Sequence, residues 1–227
     1  MRYLILAFAL LFSACAPLPG STPDAKVTII GDSVLAWHRN TRQSVGNALA
    51  DELGAPVANF SISASRISQP NPAMQFTRMQ IPNQFDDRTP EWVILNGGAN
   101  DVYFECLCLK CPTVVDQLVA TKGGGEIPEL MLELRKTGAQ IMYVGYHRSG
   151  GLGSAYDRCA NELDVIEARV KAFTDGRAGM YFVDMKDIFP PRDTSFYDND
   201  YIHPSPLGSA TIAKRLAVAL RDAGFDG

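Results

Sequence analysis

The feature that most restricts the fold of this chain is the recurrence of short apolar, often β-branched runs with helical patterns between them. Lys26-Val-Thr-Ile-Ile30 stops at Gly31, and Pro56–Phe60, Trp92–Leu95, Gln140–Gly145 and Met180–Asp184 have the same character. None alternates apolar with polar residues, as a strand with one wet face would, so both faces of these strands are expected to be covered. Helical patterns fill the gaps, at about Thr41 to Leu53, Val114 to Thr137 with a break at Gly123-Gly-Gly125, Cys159 to Thr174, and Pro206 to Ala223. The last is well punctuated, with Ser205 to cap it, Pro206 in its first turn and Gly224 after its end. Strand–helix alternation predicts one α/β domain over residues 26–227, with a parallel sheet of about five strands between helices on both faces. In such sheets, sites form beyond the carboxyl ends of the strands.

The N-terminus reads differently. After Met1-Arg2-Tyr3, the uncharged run Leu4–Phe12 is far shorter than the roughly 20 residues needed to span a bilayer. Its layout is that of an export signal, a basic start and apolar centre followed by the small residues Ser13-Ala14. Cys15 comes next, and the segment resembles a bacterial lipoprotein signal, in which the cysteine becomes the lipidated first residue of the mature chain. Ordinary secretion with cleavage at Ala14-Cys15-Ala16 is the competing reading, and Pro17 would then follow the cut, an awkward position. Residues 1–14 are therefore expected to be a signal peptide, and the Pro/Gly/Ser-rich residues 15–25 a tether to a membrane facing the periplasm.

Export also bears on the other cysteines, Cys106, Cys108, Cys111 and Cys159. Four thiolates suit zinc, but an exported chain keeps its cysteines where disulfides persist, so two bridges are expected, with all three pairings open. A formal net charge of −4 offers no broad basic surface for nucleic acid. The glycines at 123–125 and 150–153 lack the spacing that cradles phosphate and read as loop flexibility.

Three strand ends carry polar residues that can act together. Gly31-Asp32-Ser33 follows the first strand, where a glycine turn can raise the Ser33 hydroxyl above the sheet; a helix-capping serine is the plainer alternative. Asn96-Gly-Gly-Ala-Asn100-Asp101 follows the third, and Asn100 either donates to an oxyanion or organises the turn. Near the C-terminus, Asp200 and His203 are three residues apart, which permits a carboxylate–imidazole pair. Asp198 is the poorer partner by spacing, and Asp32 reads as a brace for the turn. Trp37 and His38 are open between pocket lining and packing. His147, after the fourth strand, reads as a polar loop residue.

Taken together, GDSV (31–34), NFSISAS (59–65), GAND (98–101) and DYIHPSPLG (200–208) resemble the blocks of the GDSL, or SGNH, hydrolase family in order and spacing. Block for block they look most like its bacterial lysophospholipase/thioesterase/arylesterase branch. The resemblance covers residues 26–223 and implies a flavodoxin-like, three-layer αβα sandwich and an esterase with no metal or organic cofactor. It implies Ser33 as nucleophile, His203 as base and Asp200 as the carboxylate that orients it. It also implies an oxyanion hole from the Ser33 backbone N–H, the Ala64 backbone N–H and the Asn100 side chain. Ala64 stands where the family has glycine, a departure that matters only at positive φ, where Ser63 or Ser65 becomes the alternative donor. The expected substrates are small acyl or lipid-derived esters; the alternatives are deacetylation of, or acyl transfer to, a cell-wall or exported polysaccharide by the same triad, and an inactive envelope-binding lipoprotein.

Overall fold

The computed structural model describes residues 22, 24–68, 70–86 and 88–227. The expected signal peptide and Cys15 lie outside the described residues. The five apolar runs are strands: β1 (Val27–Ile30), β2 (Val57–Asn59), β3 (Trp92–Leu95), β4 (Gln140–Val144) and β5 (Met180–Val183). They form one parallel sheet in the order β2-β1-β3-β4-β5. Every residue of the neighbouring strands β1 and β3 is buried, which explains their unbroken apolar character. Ile29 and Ile94, paired across β1 and β3, are both fully buried, each such side chain stabilising the fold by about 1.5–3 kcal/mol.

The helices are α1 (Ser33–Ala36), α2 (Val45–Leu53), α3 (Ala99–Cys106), α4 (Pro112–Leu118), α5 (Glu126–Arg135), α6 (Ala160–Thr174) and α7 (Pro206–Asp222). They group into two layers. The first is α1 with α2 and α7; the second is α3 with α4, α5 and α6. The result is the αβα sandwich expected, and its strand order is the doubly wound 2-1-3-4-5 arrangement.

Several helix boundaries differ from the sequence reading. The helix expected from Thr41 starts at Val45, because Arg42 adopts φ +59 and Ser44 caps the next turn in a reciprocal capping box with Asn47. The single helix expected from Val114 to Thr137 is two, with the glycines at 123–125 in the reversal between them. Gly125, at φ +108, lies so close to the α4 carbonyls of Gln117 and Leu118 that a Cβ would stand 2.8 Å from each. The stretch ending at Asp101, read as a turn, instead opens α3 at Ala99. The C-terminal helix carries the expected cap, with Ser205 Oγ accepting the Gly208 N–H.

Candidate active site

At the carboxyl end of β1 the chain turns through Gly31, at φ +147. A Cβ there would stand 2.0 Å from Asn96 Oδ1, so only glycine allows the β1 and β3 ends to close together. Gln84, fully buried, grips this turn from both sides: its Oε1 accepts the Gly31 N–H at 2.6 Å and its Nε2 donates to the Gly31 carbonyl at 2.9 Å. Asp32 and Asn96 then exchange two hydrogen bonds. The Asp32 N–H donates to Asn96 Oδ1 at 2.9 Å, and Asn96 Nδ2 returns one to Asp32 Oδ1 at 2.9 Å. The same carboxylate accepts the Val34 N–H at 3.0 Å, capping α1, and the Tyr146 hydroxyl at 2.5 Å. Burial raises the Asp32 carboxyl above its ordinary value, and these hydrogen bonds oppose the rise. All its partners are structural, so Asp32 braces the turn as expected. Ser33 opens α1 and lines a cavity of about 300 Å³ together with Asn100, Tyr146, His147, Tyr156 and Ile202.

Asn100 sits in the first turn of α3, with its side chain buried against the segment after β2. Its Nδ2 donates to the Ser65 carbonyl at 2.9 Å, and its Oδ1 accepts the Tyr156 hydroxyl at 2.5 Å. Asp101 next to it accepts the N–H groups of Ser68 at 2.8 Å and Ile67 at 3.2 Å. Burial pushes its carboxyl up to about 7, against those two bonds. The post-β2 segment is thus tied to α3. It is tied to Gly31 as well, whose carbonyl accepts the Ile62 N–H at 3.0 Å.

In that segment Ser65 N–H closes a turn onto the Ile62 carbonyl at 3.2 Å, and Ala64 is the exposed corner at φ +62. The positive φ is the condition under which the departure from glycine matters. An alanine pays about 1–2 kcal/mol for the left-handed region, partly offset because glycine loses more chain entropy on folding. Ala64→Gly is therefore expected to raise stability by roughly 0.5–1 kcal/mol, read as a higher urea midpoint at unchanged slope. An unchanged or lower midpoint would show that the turn carries no such strain. Ser65 is buried beside this corner, and its Oγ accepts from Gln84 Nε2 at 2.9 Å.

The Asp200–His203 pair forms as the spacing predicts. Asp200 Oδ1 accepts the backbone N–H groups of Ile202 and His203 at 2.9 and 3.0 Å, and Oδ2 faces His203 Nδ1 at 2.5 Å. Burial alone would raise the Asp200 carboxyl, but the two N–H groups and the imidazole outweigh it and hold it below the ordinary value. An ionised carboxylate accepts, so Nδ1 carries the proton and Nε2 presents a lone pair. Trp37 stacks flat on this imidazole, with ring centres 3.7 Å apart and planes 6° from parallel. Its indole N–H donates to Asp198 Oδ2 at 2.7 Å, the oxygen that also lies 3.4 Å from His38 Nε2. Trp37 is one helical turn after Ser33, and its own N–H bonds the Ser33 carbonyl at 2.8 Å. The indole therefore links the β1 turn to the imidazole, and Asp198 anchors the indole rather than the base.

His147 is not a surface residue. It is buried beneath the loop that carries His203, and burial pushes its imidazole down to about 4, which keeps it neutral. Its Nε2 donates to the Ile202 carbonyl at 2.9 Å. The cysteines pair as Cys106–Cys111 and Cys108–Cys159, which selects one of the three open pairings. Among the described residues no cluster of three or more His, Cys, Asp or Glu side chains gathers to hold a metal ion. Gln84, Tyr146 and Tyr156 have no counterpart in the sequence reading. Each acts through a side chain that meets its partner more than 40 residues away, at separations of 53, 114 and 56 residues, and no local pattern marks such meetings.

Ser33, Asn100 and the Asp200–His203 pair thus come from the carboxyl ends of β1, β3 and β5 to one end of the sheet. Ser33 and Asn100 line the cavity, and the loop of the Asp200–His203 pair reaches it through Ile202; a serine hydroxyl, a side-chain amide and a carboxylate-paired imidazole are the parts that acyl transfer through a serine needs. A family model described as GDSL-like Lipase/Acylhydrolase matches residues 29–211. Among solved structures, the chain is similar to an active-site mutant of a family two carbohydrate esterase from Clostridium thermocellum, at 20% identity and a TM-score of 0.58, covering 88% of this chain and 64% of that one. The chain thus spans less than two thirds of that esterase. A putative SGNH hydrolase from Slackia heliotrinireducens is similar at 18% identity and a TM-score of 0.58, over 86% of this chain and 97% of that one. A GDSL-like lipase from Bacteroides thetaiotaomicron is similar at 15% identity and a TM-score of 0.57, over 87% and 88% of the two chains. These likenesses, all at low identity, show a shared fold. Curated protein sequences give no match.

Proposed function

Because the chain belongs to the GDSL-like lipase/acylhydrolase family, we propose that it is an exported serine esterase acting on small acyl or lipid-derived esters, as its lysophospholipase/thioesterase/arylesterase-like blocks imply. The observation that carries this reading is the 2.5 Å contact of Asp200 with His203 Nδ1, on a loop whose Ile202 lines the same cavity as Ser33 and Asn100. A carboxylate on Nδ1 leaves Nε2 as the basic atom, the arrangement a general base requires.

In the proposed reaction His203 Nε2 takes the Ser33 proton as Oγ attacks the ester carbonyl. The Ser33 and Ala64 backbone N–H groups and the Asn100 amide receive the charge that develops on the carbonyl oxygen. Each such donor is typically worth about 2.7–4 kcal/mol in the transition state. His203 then hands the proton to the leaving alkoxide, and a water, activated by the same imidazole, releases the acyl group from Ser33. The Trp37 face against His203 favours the imidazolium formed midway, since an indole face attracts a cation. A cavity of about 300 Å³ is at the lower end for small-molecule sites and supports a short acyl group. The cavity lining also includes Ser149, Ser154 and Asp157, polar groups that favour a second reading, removal of an acyl group from a sugar by the same acyl-enzyme.

The test is labelling of purified protein with a fluorophosphonate, followed by assay on short-chain nitrophenyl esters and on acetylated sugars. Label mapped to Ser33, with turnover, is expected. Absence of both across pH 6 to 9 would end the esterase reading, and the two substrate classes rank its two forms. Attachment through Cys15 to a periplasm-facing membrane is part of the proposal. Cys15→Ser is expected to release the protein to the soluble fraction, and protein that stays on the membrane would refute a lipid anchor.

A further inference from the structure

Tyr156 occupies a place that the chemistry above leaves unexplained. It lies in the long loop after β4, and its hydroxyl donates to Asn100 Oδ1 at 2.5 Å. Its ring stacks on Tyr103, with centres 4.4 Å apart and planes 13° from parallel. Tyr103 belongs to α3, three residues after Asn100, so the phenol is docked on the helix that carries the amide. The loop is also fixed covalently, since Cys159 is bonded to Cys108, two residues beyond the end of α3.

We propose that Tyr156 is a positioning residue for ester hydrolysis, holding the Asn100 amide in the one orientation that turns an Nδ2 hydrogen toward the reacting carbonyl. The proposal rests on the reading of Asn100 as an oxyanion donor. The two ends of an asparagine amide have nearly the same shape, so sterics alone do not choose between them. A flipped amide would set its oxygen against the developing negative charge and oppose the reaction. Two contacts choose the productive orientation. The Ser65 carbonyl can only accept, and it takes one Nδ2 hydrogen at 2.9 Å, leaving the other for the cavity. Without Tyr156, Oδ1 would be a buried acceptor lacking a donor, which costs free energy and leaves the amide held by the Ser65 contact alone. Burial raises the Tyr156 phenol above its ordinary value, so it remains protonated and donates. Donation into Oδ1 also draws charge through the amide and makes the Nδ2 hydrogens better donors, since linked hydrogen bonds polarise one another.

Tyr156 lines the cavity as well, so a wall that merely touches substrate has to be told apart from a residue acting through Asn100. Tyr156→Phe keeps the ring and its stack on Tyr103 and removes only the hydroxyl. On a short-chain nitrophenyl ester, this variant is expected to lose about 10-fold in kcat with KM within about twofold, while Asn100→Ala loses about 10²–10³-fold. In the double variant the Tyr156→Phe change should have no further effect, because the group it serves is gone. A change confined to KM, a kcat within about twofold of wild type, or losses that multiply in the double variant would each overturn the proposal. A second readout does not depend on turnover. The Asn100 side-chain amide resonance, identified as the one missing from Asn100→Ala, is expected to shift and exchange faster with solvent in Tyr156→Phe. If it does not move, the proposal fails even where esters are hydrolysed. If it moves while wild type hydrolyses no ester, the positioning contact stands and the esterase reading falls.

Discussion

Ser33→Ala is expected to lower kcat on a short-chain nitrophenyl ester by about 10³-fold or more, and His203→Ala by the same order, with thermal unfolding unchanged for Ser33→Ala. The size follows from how the site divides its work. Removing the nucleophile or its base ends acyl-enzyme formation, while the oxyanion donors and the cavity still favour attack by water, so a residual rate survives. The two losses should not add, because the proton leaving Ser33 is the proton His203 receives; the double variant is expected to match the single ones. A His203→Ala enzyme with unchanged rate would place the base at another residue. His147 is a poor substitute, since its Nε2 is committed to the Ile202 carbonyl and burial holds its imidazole near 4. Fold stability should be indifferent to Ser33, which lines the cavity and is only half-buried.

The second large effect concerns the staple between Cys108 and Cys159. The residues it joins are 51 apart, against 5 for Cys106–Cys111. By the chain-entropy relation, the longer closure stabilises the fold by about 4 kcal/mol and the shorter by about 2 kcal/mol. Domains of this size are stable by only about 5–15 kcal/mol in total, so the Cys108→Ala/Cys159→Ala variant is expected to lose a large part of its margin. Urea unfolding of the two paired variants at pH 7 checks the ranking. Equal midpoints, or a lower one for Cys106→Ala/Cys111→Ala, would refute it. The long staple also joins the α3 end to the loop of Tyr156, so its loss should cost rate as well as stability.

The sheet was legible in the sequence because a doubly covered parallel strand leaves a local mark: Val27–Ile30 and Trp92–Leu95 are apolar at every position. The helix α7 was legible because Ser205, Pro206 and Gly224 punctuate it. By contrast, α1 has only 4 residues, too few for a period to show, and α3 hides behind glycines that suggest a turn. At the site, the residues proposed to carry the chemistry were readable because their types and order repeat a known family pattern. The residues that hold them were not. Gln84 clasps Gly31, Trp37 backs His203 and Asp198 anchors Trp37, and each pairing arises only when distant loops meet. Sequence spacing separated Asp200 from Asp198 correctly because that pairing lies within one turn.

The sheet order has a further consequence, for folding. Ser33 follows β1, the Ala64 turn follows β2, Asn100 follows β3, Tyr156 follows β4, and Asp200 with His203 follows β5. Every strand thus delivers its own part, and β5, at the sheet edge, delivers the last. Parallel pairings between strands far apart in sequence form late, because long loops must close before they are rewarded. A refolding chain can collapse, pair β1 with β3 and bury most of its core while the base is still missing. On the proposed mechanism, hydrolysis then reports the arrival of the final strand rather than the onset of compactness, and no fragment ending before β5 contains His203, the proposed base.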